Sequence, residues 1–293
     1  MNRLIFFLIV ILSAPLSFAQ PNMGVSGTVE WDTMLIKAAV SLDLSSAGVK
    51  IPSGRTLGES ILSEGFLNLI RPGVMGIQVD SSSTIGDLVA RGELSLSEAD
   101  AIAIKARTAH PALSSDTKSM YSSHTIALSD ISSALLNHNR PAPAPRTLNP
   151  RSSARYTGII IIAPEKLPVH GRRSAALAIP CLFPKIWDSE MNLIYRRDML
   201  ETRDGPMVRY LSSGNIYQNN PSGLSPELEE IVGDRPLRVF ARGVFGLRPT
   251  DLIIDRQDAE IIISSEENRH LLSRGRVAVI LDDSVLRRDL GEE

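Results

Sequence analysis

The chain has 293 residues, of which 43% are hydrophobic and 22% charged, and its formal net charge is −2. This length and composition predict a folded globular protein of about two domains, each able to bury a core. The near-neutral charge excludes the strongly basic surface typical of nucleic-acid binding, and an aromatic content of 5% argues against a base-stacking platform.

Residues 1–19 have the pattern of a secretory signal peptide. A positive charge at Arg3 precedes an apolar segment over residues 4–14, and small residues end at Ala19, which predicts cleavage before Gln20. The apolar segment is too short to span a bilayer comfortably. No cysteine lies at the cleavage site, so lipid attachment by the usual acylation route is not predicted. We therefore expect export to the periplasm and leave membrane association open.

A single cysteine, Cys181, occurs in the whole chain. It cannot form a disulfide within the chain, so stability must come from packed cores. Its neighbours, Ile179, Pro180, Leu182 and Phe183, are mostly apolar. This setting favours a small buried hydrophobic residue over a nucleophile.

Residues 20–139 are predicted to form a small α+β domain. Alternating polar and apolar residues indicate strands, whereas apolar residues spaced three and four apart indicate helices. The predicted elements are a hairpin of Val29–Asp32 with Leu35–Leu44, a helix over Leu57–Ile70 ended by Arg71, Pro72 and Gly73, a strand over Val74–Val79, a helix from Ser95 to about Thr108, a strand over Ser119–Ser129 and a short helix over Ile131–Leu136.

Residues 140–155 are predicted to be a linker. Four prolines, at positions 141, 143, 145 and 150, prevent regular strand pairing and favour an extended, semi-rigid spacer. Docking of a peptide-recognition module on this segment is the less favoured alternative.

Residues 156–293 are predicted to form a mostly β domain around the apolar run Ile159–Ile162. Four β-branched residues in succession suit a central strand covered on both faces, and Val277–Leu281 resembles a partner strand. The charged tail from Arg287 is expected to fray. The predicted strands are Tyr156–Ala163, Ala176–Leu182, Asn192–Tyr195, Met207–Ile216, Leu237–Val244, Asp251–Ile254, Glu260–Ser264 and Arg276–Leu281, and the predicted helices are Pro226–Val232 and Glu266–Leu272.

Two motifs weakly match known catalytic or nucleotide-binding patterns. The segment Gly48–Thr56 is similar to a phosphate-binding loop, but five residues separate its glycines and Arg55 stands where lysine belongs. The segment Ser115–Lys118 has the Ser-x-x-Lys spacing in which a lysine can activate a serine. It lies in a polar stretch without companion motifs. Both segments are interpreted as ordinary loops or turns.

The remaining titratable residues form no convincing site in the sequence. The histidines have no metal-type spacing, and the paired acids at strand ends are typical of turn caps. We therefore predict no catalytic residue, no bound cofactor and no metal. The residues considered are His110, His124, His138, His170 and His270, the acids Asp188, Glu190, Asp282 and Asp283, and the basic pairs Arg172 with Arg173 and Arg196 with Arg197.

The order of several short motifs resembles a family of exported bacterial envelope proteins. The motifs are Tyr156–Ile161, Ile179–Asp188, Ile194–Tyr195, Pro236–Ala241, Asp251–Ile254, Asp258–Ile261 and Arg276–Leu281. They are similar to the β-rich domain of envelope lipoproteins and of flagellar outer-membrane-ring assembly proteins. The first half is similar, more weakly, to the flagellar assembly protein T-like N-terminal domain. The chain differs at Ala163–Glu165, in an enlarged loop over Pro168–Ala176, and in lacking the lipid-attachment cysteine.

This resemblance implies a non-enzymatic structural or assembly role in the envelope, through contacts with other envelope or flagellar-motor proteins or with a second copy. Exposed sheet edges would then be docking sites by strand addition. The alternative is a cell-wall carbohydrate-binding or hydrolytic protein, for which Asp188, Glu190 and His170 are the candidate residues. A third hypothesis, a ligand-binding protein, predicts an apolar pocket between the domains.

Overall fold

The computed structural model describes residues 21–136, 138, 140–147, 154–201, 205–215 and 223–290. The expected signal peptide lies outside these residues. The protein has an α+β fold, as predicted, with an N-terminal part and a strand-rich C-terminal part. Within the described ranges no helix is both long and apolar enough to cross a bilayer.

The N-terminal part contains an antiparallel sheet with one face buried. Along β2 and β5 every second residue is buried, as the alternating sequence predicts for a half-covered strand. The predicted hairpin is confirmed, since β1 pairs with β2 along its whole length. The elements of this part are β1 (Met23–Glu30), β2 (Leu35–Asp43), α1 (Arg55–Met75), α2 (Ile85–Ala90), α3 (Leu96–Ile104), β3 (Arg107–Thr108), β4 (Ala112–Leu113), β5 (Ser119–Ala127) and α4 (Leu128–Leu135).

Helix α1 is longer than the sequence predicted. It continues through Pro72 to Met75, so the predicted stop at Arg71–Gly73 and the predicted strand from Val74 are wrong. Buried residues Leu62, Phe66, Ile70 and Val74 form one apolar stripe that packs the helix on the sheet. The burial of Val74 compensates for the hydrogen bond that proline cannot donate.

Side-chain caps begin the next two helices. The hydroxyl of Thr84 accepts a hydrogen bond from the backbone of Asp87, and the Asp87 carboxylate accepts one from Thr84 in return. Ser95 and Glu98 form the same reciprocal pair at the start of α3. The start of α3 is confirmed, although the helix ends at Ile104, before the predicted Thr108.

The C-terminal part is built around a seven-stranded sheet in the order β10-β9-β13-β12-β6-β14-β11. Its elements are β6 (Ile159–Ala163), β7 (Leu167–Pro168), β8 (Ala175–Ala176), β9 (Ile186–Asp188), β10 (Leu193–Tyr195), β11 (Arg209–Ser212), α5 (Pro226–Val232), β12 (Leu237–Phe245), β13 (Asp251–Ile254), α6 (Arg256–Ser264), α7 (Glu266–Ser273), β14 (Val277–Leu281), α8 (Asp283–Leu286) and β15 (Arg287–Asp289).

The isoleucine strand β6 lies inside this sheet and is buried throughout. It pairs in parallel with β14 on one side and with β12 on the other, so the predicted partnership with Val277–Leu281 is confirmed. One face of these strands packs into the main core, and α5 covers the other face of β6, β14 and β11. Coverage on both faces explains why both strands are continuous apolar runs.

Three predictions for this part are wrong. Residues Glu260–Ser264 belong to helix α6, because Ala259 and Ile262 are spaced three apart and form its buried stripe. Most of Ala176–Leu182 is irregular, with only Ala175–Ala176 in a strand. The tail does not fray at Arg287, since Arg287–Asp289 pairs with β1 as an edge strand of the N-terminal sheet.

The two parts share one hydrophobic core. Residues of the first sheet, such as Ile36, and residues of the second, such as Ile161, belong to the same cluster of buried side chains. The described linker residues 140–147 have no helix or strand, and the backbone amide of Ala142 donates to the carbonyl of Asp198 at 2.7 Å. The linker therefore lies against the C-terminal part over these residues.

We predict that Gly158→Ala lowers the free energy of unfolding by about 1–3 kcal/mol. A β-carbon at this position would lie 2.4 Å from the Cα of Val232, so α5 would have to move off the sheet. Urea unfolding monitored by circular dichroism measures the change. Gly205→Ala is the matched control, because a β-carbon there meets no atom within 4 Å. Equal stabilities of the two variants would contradict the prediction.

Candidate functional site

The three residues of the hydrolytic alternative have separate structural contacts. The Asp188 carboxylate accepts hydrogen bonds from the amides of Glu190, at 2.9 Å, and Asn192, at 2.7 Å, and so closes the turn between β9 and β10. Glu190 forms an ion pair with Arg256. The His170 ring packs edge-on against Phe245, with ring centroids 5.7 Å apart. These contacts hold turns and surfaces together.

The Ser-x-x-Lys segment forms a turn, and the segment similar to a phosphate-binding loop leads into helix α1. Asp116 accepts hydrogen bonds from the Ser114 hydroxyl and the Lys118 amide, and residues 115–118 are exposed. In the other motif, Arg55 begins helix α1 and pairs with Glu59 one turn later, with Nε 2.9 Å from Oε1. The guanidinium is therefore directed along the helix surface.

Cys181 is buried, as predicted. Burial raises the pKa of its thiol, because a thiolate would be desolvated there. The carbonyl of Cys181 accepts a hydrogen bond of 2.9 Å from the Tyr210 hydroxyl. The amide of Cys181 donates a hydrogen bond of 3.1 Å to the oxygen of that hydroxyl. The residue acts as packing between two segments of the C-terminal part.

The acids at the end of β14 and the basic pairs lie on the surface. Asp282 caps α8 and Asp283 accepts from Ser212, as expected for acids that end a strand. Arg196 pairs with Asp198 at 2.7 Å. Arg197 lies 5.9 Å from the ring centre of Phe183. Arg172 and Arg173 are exposed in the turn between β7 and β8.

The histidines are dispersed. His110 is exposed, His138 lies 2.8 Å from the carbonyl of Leu200, and His270 lies 3.9 Å from Glu266. Among the described residues no three His, Cys, Asp or Glu side chains form a group that could hold a metal ion.

His124 is the histidine with the most structured surroundings. Its Nδ1 lies 3.0 Å from the Thr108 hydroxyl and its Nε2 lies 2.7 Å from the Ser122 hydroxyl. The ring stacks on Phe66 with centroids 3.8 Å apart, beside a cavity of about 350 Å³ between α1, α3 and the sheet. Burial lowers the pKa of His124, because the protonated ring would lose its hydration.

Backbone hydrogen bonds join the two parts of the chain. The carbonyls of Gln78 and Val79 accept from the amides of Leu182, at 3.0 Å, and Phe183, at 2.8 Å. In a second connection, β15 extends the N-terminal sheet, and the guanidinium of Arg288 donates to the carbonyl of Gly76 at the end of α1. Both connections place backbone of one part against backbone of the other.

Asp251 is the buried carboxylate at this junction. One oxygen accepts from the Lys185 amide at 3.2 Å, and the other accepts from Trp187 Nε1 and the Ser81 hydroxyl, each at 3.2 Å. Burial raises the pKa of Asp251, and these donors oppose that rise by stabilising the carboxylate. Nearby, Gly246 has a φ of +112° and lies so close to Ser81 that a β-carbon would be 2.3 Å from the Ser81 Cβ.

A cleft of about 750 Å³ opens between the two parts. Apolar side chains of Trp31, Met75 and Ile179 line it together with the guanidinium groups of Arg248 and Arg288. The cleft is in the position that the ligand-binding hypothesis predicts. Its two arginines also have structural roles, since Arg248 donates to Gln78 and Arg288 to Gly76.

The most unusual exposed surface lies on β12, in the interior of the seven-stranded sheet. Arg238, Phe240 and Arg242 point away from the main core and are exposed, and we call these three residues the Phe240 strip. Phe240 is 59% exposed. Its backbone pairs with Ile162 of β6, whereas β13 pairs with β12 from Ala241 to Phe245. Such exposure of a large aromatic residue in a sheet interior marks a candidate contact site.

The neighbours of the Phe240 strip on the same face are covered. Ile162 of β6 is opposite Phe240 and is buried beneath α5 with Leu228 and Val232. The β7 segment adjoins the end of β12 on the same side as β6, since Val169 bridges Val244, and a β-carbon at Gly243 would lie 3.1 Å from the Pro168 carbonyl. The Phe240 strip therefore borders the region that α5 covers.

The Phe240 strip is positively charged at both ends. Within the described part of the chain Arg238 forms no ion pair. Arg242 lies 3.8 Å from Asp255, with both side chains largely exposed. An exposed pair at this distance contributes little to stability and exchanges readily. The pKa of Asp258 is raised by burial and by the neighbouring Asp255, and Arg242 opposes that rise.

Sequence reasoning identified β12 but missed this surface. In the segment from Leu237 to Phe245 the buried residues Leu237, Val239 and Ala241 alternate with the exposed ones. Phe240 therefore has the phase of the two arginines, and this is the signal that could have revealed it. Asp251 gave no comparable signal, because its partners are distant in the sequence.

Two family models match the chain in consecutive order. Residues 22–134 are similar to the N-terminal domain of Treponema pallidum Tp0624, and residues 158–283 are similar to the second domain of that protein. A search of curated proteins found no match. The segment between the two matches contains the predicted linker, and β15 follows the second match.

We predict that Asp251→Asn lowers the free energy of unfolding by about 1–3 kcal/mol. The amide keeps the shape but replaces one acceptor oxygen with a donor, so amide, indole or hydroxyl donors at the junction lose their partner. Chemical unfolding measures the change. Asp234→Asn, at an exposed position, is the control. A neutral effect of Asp251→Asn would show that the junction does not depend on this carboxylate.

We also predict that His124 makes stability pH-dependent. Its pKa is lower in the folded than in the unfolded chain, so its contribution is present above the unfolded value and is lost as the pH falls through the folded value. The free energy of unfolding should decrease more between pH 7 and pH 5 for the wild type than for His124→Gln. His110→Gln, at an exposed position, should keep the wild-type dependence. Identical pH profiles for wild type and His124→Gln would refute this assignment.

Proposed function

We propose that this protein is a non-enzymatic structural or assembly component of the bacterial cell envelope that acts in the periplasm through contacts with other proteins. The expected signal peptide supports export, and the motif order described above supports an envelope role. A flagellum-associated role is the finer version of this proposal. The observation that carries it is the exposed Phe240 strip in the interior of a sheet.

The Phe240 strip supports a contact role because exposed aromatic and arginine side chains are enriched at protein interfaces. An exposed aromatic side chain between two arginines offers a partner apolar area and charge selectivity together. The two parts share a hydrophobic core and are joined by backbone hydrogen bonds. These contacts hold the Phe240 strip in a defined position relative to the rest of the protein.

The hydrolytic alternative has less support. It requires at least two convergent carboxylates or a histidine-bearing cleft. Asp188 is engaged with backbone amides, Glu190 with Arg256, and His170 with Phe245. These side chains would have to leave their present partners before they could act on a substrate.

Photo-cross-linking in living cells tests the proposed function. A photoreactive phenylalanine derivative at Phe240 should yield a discrete cross-linked product in the periplasmic fraction, because the partner covers this side chain. The same derivative at Tyr121, an exposed aromatic residue of the N-terminal sheet, is the matched control and should yield much less. Location in the cytosol, or the absence of a discrete product from Phe240, would contradict the proposal.

A further inference from the structure

We propose that the cleft between the two parts binds an amphiphilic anion, a small molecule that carries an anionic head group on an apolar body. This site is separate from the Phe240 strip, and the inference goes beyond the proposed contact role. It follows from the size of the cleft, the two guanidinium groups and the apolar side chains that line it, and an indole N–H that has no acceptor among the described residues.

The cleft has the dimensions of a small-molecule site. Its volume is about 750 Å³. Ligand pockets usually measure about 300–1,000 Å³ and often lie between domains. The end of α1 and the segment after it line the cleft from the N-terminal part, and the loop before β9, the turn between β12 and β13, and β15 line it from the C-terminal part. A bound molecule therefore contacts both parts of the chain.

Arg248 is the better defined of the two cationic groups. Its guanidinium donates to the side-chain oxygen of Gln78, which is buried. The amide nitrogen of Gln78 in turn donates to the carbonyls of Asp80 and Ser83, so the orientation of the Gln78 side chain is fixed. A guanidinium has five N–H donors, and within the described part of the chain the bond to Gln78 is the one that Arg248 forms through them. Gln78 thus positions Arg248 and leaves donors for a ligand.

Arg288 adds a second positive charge to the same region of the cleft. Its guanidinium donates to the carbonyl of Gly76 at 2.8 Å. Gly76 and Gln78 are two positions apart, so their Cα atoms are separated by at most about 7 Å and the two arginines are anchored close together. The described residues that line the cleft include no aspartate or glutamate. Two like charges in such a lining favour the binding of an anion.

Two nearby features are electronegative, and both have partners of their own. Asp87 acts electrostatically on Arg248, but its carboxylate accepts hydrogen bonds from the amide and the hydroxyl of Thr84, which are the main reason that the pKa of Asp87 is lowered. The last carbonyls of α1 carry the negative end of the helix dipole, and the adjoining carbonyl of Gly76 accepts from Arg288. The guanidinium groups therefore remain the charged side chains that line the cleft.

Apolar side chains and an indole N–H complete the site. Met75, Ile179 and Val285 line the cleft together with the arginines and provide a surface for an apolar body. Trp31 also lines it, and only 4% of this residue is exposed. Its indole N–H donates to no atom of the described residues, although a buried indole usually has an acceptor. The oxygens of an anionic head group are acceptors for this donor as well as for the arginines.

Titration calorimetry with decyl amphiphiles, each below its micelle concentration, tests the proposal. Decanoate and decyl phosphate have the same tail on two anionic head groups, decyltrimethylammonium has it on a cationic one, and acetate is a head group without a tail. Decanoate should bind the purified protein at one saturable site, with a dissociation constant at least about tenfold lower than those of decyltrimethylammonium and acetate. Tighter binding of decyl phosphate than of decanoate would identify the natural head group as a phosphate.

Two arginine variants locate the site. Arg248→Gln should weaken decanoate binding at least about tenfold, because the positive charge and its donors are lost. Arg238→Gln makes the same change in the Phe240 strip, and this matched control should bind decanoate as the wild type does. Both arginines are exposed, so melting temperatures close to that of the wild type are expected.

Trp31 reports binding inside the cleft. The chain has two tryptophans, so in Trp187→Phe all tryptophan emission comes from Trp31. Decanoate should change this emission with the dissociation constant that calorimetry gives. Adding Arg248→Gln to Trp187→Phe should move the fluorescence titration to decanoate concentrations at least about tenfold higher.

Four results would overturn the proposal. They are the absence of saturable binding of both anions, equal affinities for decanoate and decyltrimethylammonium, an equal loss of binding in Arg238→Gln and Arg248→Gln, and Trp31 emission that does not respond to bound decanoate. The cross-link from Phe240 does not depend on the cleft. If that cross-link forms while decanoate fails to bind, the proposed function stands and only this inference falls.

Discussion

The buried carboxylate of Asp251 is the interaction on which the arrangement of the molecule depends. It lies at the start of β13, next to β9 and the loop around Ser81, and it accepts hydrogen bonds from Lys185, Trp187 and Ser81. Desolvating a carboxylate is costly, and the cost is offset only if its donors are correctly placed. The group therefore favours one relative position of the two parts, and the backbone bonds from Gln78 and Val79 support the same position.

The second sheet shows how one chain covers some of its faces and leaves another open. Its inner strands β6 and β14 are buried on both sides and form the most apolar segments of the sequence. Strand β12 is the neighbour of β6, yet its outer face bears Arg238, Phe240 and Arg242. The difference arises because α5 has only seven residues and reaches β6 but leaves β12 uncovered.

Most of the polar groups that first suggested chemistry stabilise local structure. Asp188 and Asp116 close turns, and Asp282 caps α8. A carboxylate that accepts several N–H and O–H donors is stabilised in its charged form and is less suited to proton transfer. These carboxylates therefore contribute to local structure in the described part of the chain.

The sequence alone determined the features that depend on local patterns. Alternation revealed the hairpin and β5, the isoleucine run revealed the central strand, and Ser95 revealed where α3 begins. It failed where tertiary contacts override local preference. Pro72 continues α1 because Val74 is buried, and the charged segment Arg287–Asp289 forms a strand because β1 offers a free edge.

Only the tertiary structure decided the candidate site and the relation between the two parts. Asp251 and Ser81 are 170 positions apart, and β15 crosses back to the first sheet from the end of the chain. Phe240 has the phase of the two arginines in β12, and its exposure depends on where α5 ends on the sheet. Contacts between distant residues leave no local periodicity, and for this reason the junction could be seen only in the folded chain.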